Sequence, residues 1–88
     1  MNRLRSMARA LQRADEALGK ATRERDTVRR DIGAALYTKR EELGLGLREC
    51  ARSLGVSAQF LCDIEHGRRW GQSTVDAAIS LFEEAPHA

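Results

Sequence analysis

A chain of 88 residues supplies one small domain, because a single core takes on the order of 50 to 150 residues, and that length excludes most enzymes. Hydrophobic residues make up 42% of the composition and charged residues 32%, which excludes a wholly disordered chain. The net charge of +2 hides an asymmetry: residues 1–30 hold nine Lys or Arg against four Asp or Glu, and residues 31–88 hold six against nine. A basic arm is therefore joined to a mildly acidic body.

No apolar run is long enough to span a bilayer, and MNRLRSMARALQRADEAL places Arg at every turn where a secretory signal needs an apolar stretch. The expectation is a cytoplasmic protein without membrane association. Cys50 and Cys62 lie twelve positions apart among helix formers, a spacing of neither a zinc ribbon nor a disulfide framework, and read as reduced thiols. The single proline is Pro86, so nothing of that kind interrupts a chain rich in Ala, Leu, Arg and Glu. The fold class expected is all-α: four short-to-medium helices preceded by, or fused to, a long coiled-coil-like N-terminal helix.

In residues 2–30 apolar side chains recur at alternating spacings of three and four: Leu4, Met7, Leu11, Ala14, Leu18, Ala21, then Arg25 and Val28, with Ile32 and Ala35 beyond. A 3.5-residue period held over five heptads describes a seam facing another helix, since a lone surface helix drifts off it at 3.6 residues per turn. Arg25 weakens that seam at an a-type position, while Glu24 and Arg29 fall at g- and e-type positions, where a parallel pair attracts. The arm reads as an oligomerisation helix, holding a homodimer or joining two dimers into a tetramer; a solvated single helix, or one folded back on its own domain, is the alternative.

Residues 31–84 read as the second unit. A helix over 31–43 turns Ile32 and Leu36 inward and ends at Gly44 in a left-handed cap; a second covers 47–54 and closes at Gly55; Ser57 caps a third over 58–66, which Gly67 terminates. Only Gly55, Val56 and Ser57 separate the second helix from the third, the sequence form of a helix-turn-helix. Ser73, with Asp76 three residues on, makes a capping-box-like start to a fourth helix over 74–84, whose Val75, Ala78, Ile79 and Phe82 form an apolar stripe. Residues 85–88 read as a frayed tail.

The segment REELGLGLRECARSLGVSAQFLCDIEHGRRW, from Arg40 to Trp70, resembles the Cro and phage-repressor (xenobiotic-response-element) family of helix-turn-helix domains. The resemblance covers roughly residues 32–82 and rests on Arg40, Ala51, Leu54, the Gly55-Val56-Ser57 turn, and Ile64-Glu65-x-Gly67. It implies sequence-specific binding to double-stranded DNA as a homodimer on an inverted-repeat operator, usually to repress, and an ion pair between Arg40 and Glu65. The chain departs from the family in having Gly46 and Leu47 where a Ser or Thr cap and a Gln are usual, with Arg48 the nearest replacement. No Lys or Arg lies in the third helix, and a fifth helix is absent.

Within that frame Gln59 is a candidate for bidentate pairing with adenine, Ala58 for contact with a thymine methyl, and Asp63 for accepting from cytosine N4 or repelling phosphate. Ser57, Arg48, Arg68 and Arg69 are candidates for phosphate contact. Each has a plainer reading as a cap, a small helix former or a solvated charge, and Trp70 reads as a lid on the core. Cys62 and His66, one turn apart, supply two metal ligands where four are needed, and no catalytic arrangement occurs at useful spacing. The function expected is a DNA-binding transcriptional regulator, not an enzyme, without cofactor, metal or small-molecule ligand. The alternatives are a protein-interaction scaffold that no longer reads DNA, and an antitoxin whose arm neutralises a toxin while its domain represses its own operon.

Overall fold

Nothing between Asn2 and Glu42 stops a helix strongly enough to end it, and the first helix, α1 (Asn2–Glu42), runs through Gly19 and Gly33 without a break for 41 residues. The expected arm and first domain helix are thus one element, about 60 Å long at 1.5 Å per residue. The computed structural model describes residues 2–85, and its other helices are α2 (Leu47–Leu54), α3 (Ala58–Glu65) and α4 (Gln72–Glu84). The tail expected at 85–88 lies outside the described residues except for Ala85. With extents of 69 × 22 × 17 Å, the molecule is a short helical body at one end of a projecting rod.

The body forms where the chain is punctuated. Gly44 ends α1 in the left-handed region, and the Leu45 N–H donates back to the Arg40 carbonyl at 3.1 Å. Gly55 adopts φ 71° after α2, which lets the Val56 N–H reach the Ala51 carbonyl at 3.0 Å and redirects the chain into α3 within three residues. Leu61, Ile64 and Cys50 are fully buried, with Leu36, Ala51, Val75, Ala78 and Phe82 around them. Cys50 behaves as a small core side chain, and burial pushes its thiol up from the ordinary range.

Two features dock α1 on α3. Gly33 is buried where a Cβ would collide with the Ile64 carbonyl oxygen, so the backbones approach more closely than any side chain allows. One and a half to two turns on, Arg40 meets Glu65: Nε donates to Oε2 at 2.7 Å, Nη2 to Oε1 at 3.2 Å, and Nη1 to the Leu45 carbonyl at 2.8 Å. Both side chains are at most 5% exposed, and the Glu65 bond holds the Arg40 guanidinium above its ordinary pKa.

The start of α4 differs from expectation. Its N-cap is Gly71, with no side-chain cap, and Ser73 lies inside the helix. A Cβ at Gly71 would stand 2.8 Å from the Phe60 ring, so packing of α3 against this turn selects the glycine over the serine as the entry point. Asp76 accepts instead from the Gln72 amide at 3.0 Å. Ile79 also departs from the buried stripe and is 41% exposed. On the arm, Leu4, Met7, Leu11, Leu18 and Val28 are all more than half exposed. No helix among the described residues is long and apolar enough to cross a membrane.

Removing the charge from Glu65 leaves a buried guanidinium unpaired. Glu65→Gln is expected to lose about 3 to 5 kcal/mol of unfolding free energy in a chemical denaturation. A midpoint equal to the parent's would contradict a buried pair.

Candidate nucleic-acid interface

Ser57, in extended backbone at φ −72°, ψ 151°, accepts the Phe60 N–H on its Oγ at 3.0 Å and starts α3. The next residue, Ala58, is half-buried and packs against the core. Gln59 is exposed, and its side chain is fixed: Nε2 donates to Asp63 Oδ1, one turn along, at 2.9 Å. The amide oxygen and the second amide hydrogen stay free, which are the groups a bidentate contact with adenine uses.

Asp63 is where the expected readout fails. It does not face outward as an acceptor for a base: its side chain is 10% exposed, and its carboxylate is already occupied. Arg68 Nε donates to Oδ1 at 2.9 Å, and Arg69 Nε stands 3.5 Å from Oδ2. The Arg68 bond, with help from the Gln59 bond and against the opposing effect of burial, holds the carboxyl below its ordinary range. The main chain repeats the pattern, since the Asp63 carbonyl accepts the Arg68 N–H at 2.8 Å and the Arg69 N–H at 3.3 Å. Asp63 is thus the anchor of the loop after α3. Its negative charge is spent inside the protein, while the two guanidinium groups it holds remain more than half exposed.

A second pair of arginines completes the basic surface. Gly67, at φ 74°, turns the chain so closely past α1 that a Cβ there would lie 2.9 Å from Arg30 Cγ. This places Arg29 and Arg30 beside Arg68 and Arg69 around a cavity of about 270 Å³, with Asp26 and Trp70 also in its wall. The Arg29 guanidinium lies 5.2 Å from the centroid of the Trp70 ring, and Trp70 packs on the core as a lid. Sequence reasoning assigned Arg29 to the seam and gave Arg30 no role. The signal available was the spacing of residues 26, 29, 30, 33, 37 and 40, the α1 face that meets the end of α3 and the loop after it.

The remaining candidates are simpler. Arg48 is exposed in the first turn of α2, whose N-cap is Gly46 without a side-chain cap. Cys62 Sγ lies 3.6 Å from His66 Nδ1, and that nitrogen is 2.8 Å from the Cys62 carbonyl, a local contact within one turn. Among the described residues no three His, Cys, Asp or Glu side chains are grouped to hold a metal ion.

No protein-family model, curated protein or solved structure matches the chain.

A carboxyl whose folded-state pKa is depressed contributes stability that is present above its unfolded value, near 4, and is lost as pH falls through the folded value. Asp63→Asn is therefore expected to be less stable than the parent at pH 7, with the gap narrowing steadily below about pH 4. Urea denaturation of both proteins at pH 7 and pH 3 measures this. A gap that is the same at both pH values would show that the Arg68 and Arg69 contacts do not stabilise the folded state.

Proposed function

We propose that the chain is a sequence-specific DNA-binding regulator of the Cro and phage-repressor type, a cytoplasmic repressor that binds an inverted-repeat operator as a homo-oligomer. The observation that carries this reading is the connected set Gln59, Asp63, Arg68 and Arg69. One exposed amide suited to a base edge is tied through a shielded carboxylate to two exposed guanidinium groups suited to phosphate. Three roles follow. Gln59 reads a base at the start of α3, Ser57 presents the helix N-terminus to phosphate, and Arg68, Arg69, Arg29 and Arg30 supply charge along one flank, with Arg48 at the start of α2.

In this scheme α3, inserted as the recognition helix, carries no cation of its own, and the loop and α1 provide the attraction to the backbone. Affinity and specificity then come from different elements. A protein-interaction scaffold or antitoxin is the second reading; it is favoured by that cation-free α3 together with the long exposed apolar stripe on α1.

A mobility-shift titration with the DNA upstream of the chain's own coding sequence, at two salt concentrations, separates these readings. Sequence-specific binding that weakens with salt supports the regulator or the antitoxin, and no binding supports the scaffold. On the preferred site Gln59→Ala is expected to cost about 1 to 3 kcal/mol and to flatten discrimination at one base pair. Arg69→Ala should weaken all sequences alike and lower the salt slope by about one. Equal losses for Gln59→Ala on preferred and random DNA would remove Gln59 from the reading surface.

A further inference from the structure

The apolar stripe of α1 does not stop at the arm. Its positions 32 and 35 enter a groove of about 480 Å³ on the body, formed by Ile32, Ala35 and Leu36 of α1 and Ile79 and Phe82 of α4, with Lys39 and Glu83 also in its walls. The exposure of Ile79 and the exposed seam are thus parts of one surface running the length of the molecule.

Resting on the reading of α1 as an oligomerisation helix, we infer that this groove receives the N-terminal end of α1 from a second copy, in an antiparallel pair that seats Leu4 and Met7 of each chain in the body of the other. The seam itself selects the direction. Aligned antiparallel about the middle of the interval between Leu18 and Ala21, every a-type residue meets a d-type residue: Leu4 with Ala35, Met7 with Ile32, Leu11 with Val28, Ala14 with Arg25, Leu18 with Ala21. Large side chains then face small ones in three of the five layers, and Arg25 faces an alanine that leaves it room. A parallel pair instead stacks Arg25 on Arg25 and, from Leu11 to Ala21, alternates layers of two leucines with layers of two alanines.

Charge favours the same direction. Arg3, Arg5, Arg9 and Arg13 precede the first carboxylate, Asp15, so a parallel pair brings eight cations together at one end. The antiparallel pair divides them between its two ends and lays each set against a mixed end of the partner, where Asp31, Glu42 and Glu83 are exposed alongside Arg30 and the half-buried Arg29 and Lys39. Arg5 falls on the flank of the helix that turns toward α4 and Glu83, and Ala8 on the same flank leaves space for Ile79. The attraction that a parallel pair draws from Glu24 to Arg29 is weakened here, because the Arg29 guanidinium already lies over Trp70.

The experiment uses the full chain with Cys62→Ser; Cys50 is 1% exposed and stays in place. Light scattering first gives the mass, and Leu4→Cys and Ala35→Cys are then treated with a short bis-maleimide, each alone and as a mixture. The antiparallel pair predicts a dimer whose mixture cross-links strongly while each variant alone does not. It also predicts that Arg5→Glu weakens association about tenfold and that adding Glu83→Arg restores it. A dimer in which Leu4→Cys cross-links to itself overturns the antiparallel seating and leaves self-association standing. A protein monomeric at several hundred micromolar overturns both.

Discussion

Arg40 and Glu65 are 25 positions apart in sequence, and their double hydrogen bond fixes the junction that sets α1 against α3 and the loop that follows it. It joins α1 to the C-terminal end of α3, where the chain turns at Gly67 into the arginine loop. Gly33 makes that junction possible by letting the two helices touch backbone to backbone at Ile64. A charge pair this deeply buried gains little net stability over an apolar pair of the same shape, yet neither partner is tolerated alone. Its effect is positional: α1 meets α3 at one angle and one height, and the arginines at 29 and 30 arrive beside those at 68 and 69.

The electrostatic design follows from that placement. The domain from residue 31 onward has more acids than bases, which argues against DNA binding if charges are merely counted. The structure distributes them unevenly. Glu65 is neutralised by Arg40 and Asp63 by Arg68 and Arg69, so two of the acids are withdrawn from the surface near α3. Four arginines stay around one cavity at its edge. What a polyanion meets is the charge within a Debye length of about 8 to 10 Å, and there the four arginines outnumber Asp26 and Asp63 although acids outnumber bases in the domain as a whole.

The helices were legible in the sequence because periodicity and glycine punctuation are local. Gly44, Gly55 and Gly67 each mark a helix end, and each has positive φ. The pairing of Arg40 with Glu65 was legible only through family resemblance, since no local rule links residues so far apart. Asp63 was misread because helical register gives direction but not burial; the arginines that shield it lie outside the helix, in a loop whose path no periodicity describes. The Ser73 start failed for a related reason. A capping box is a local preference, and the Phe60 ring against Gly71 is a tertiary contact that overrides it. The role of Gly33 is not legible in the sequence, because a glycine inside a helix signals a close approach only once the partner backbone is known.

In the proposed function, the face built by Gln59 and the arginine cluster reads double-stranded DNA in a sequence-dependent way. Selection of bound duplexes from a random-sequence pool by the full chain, at near-physiological salt, tests it most directly. Enrichment of an inverted repeat is expected, with Gln59→Ala losing the preference at one position of each half-site and retaining the rest. Recovery of a pool with no enriched sequence, or of none above background, would contradict it.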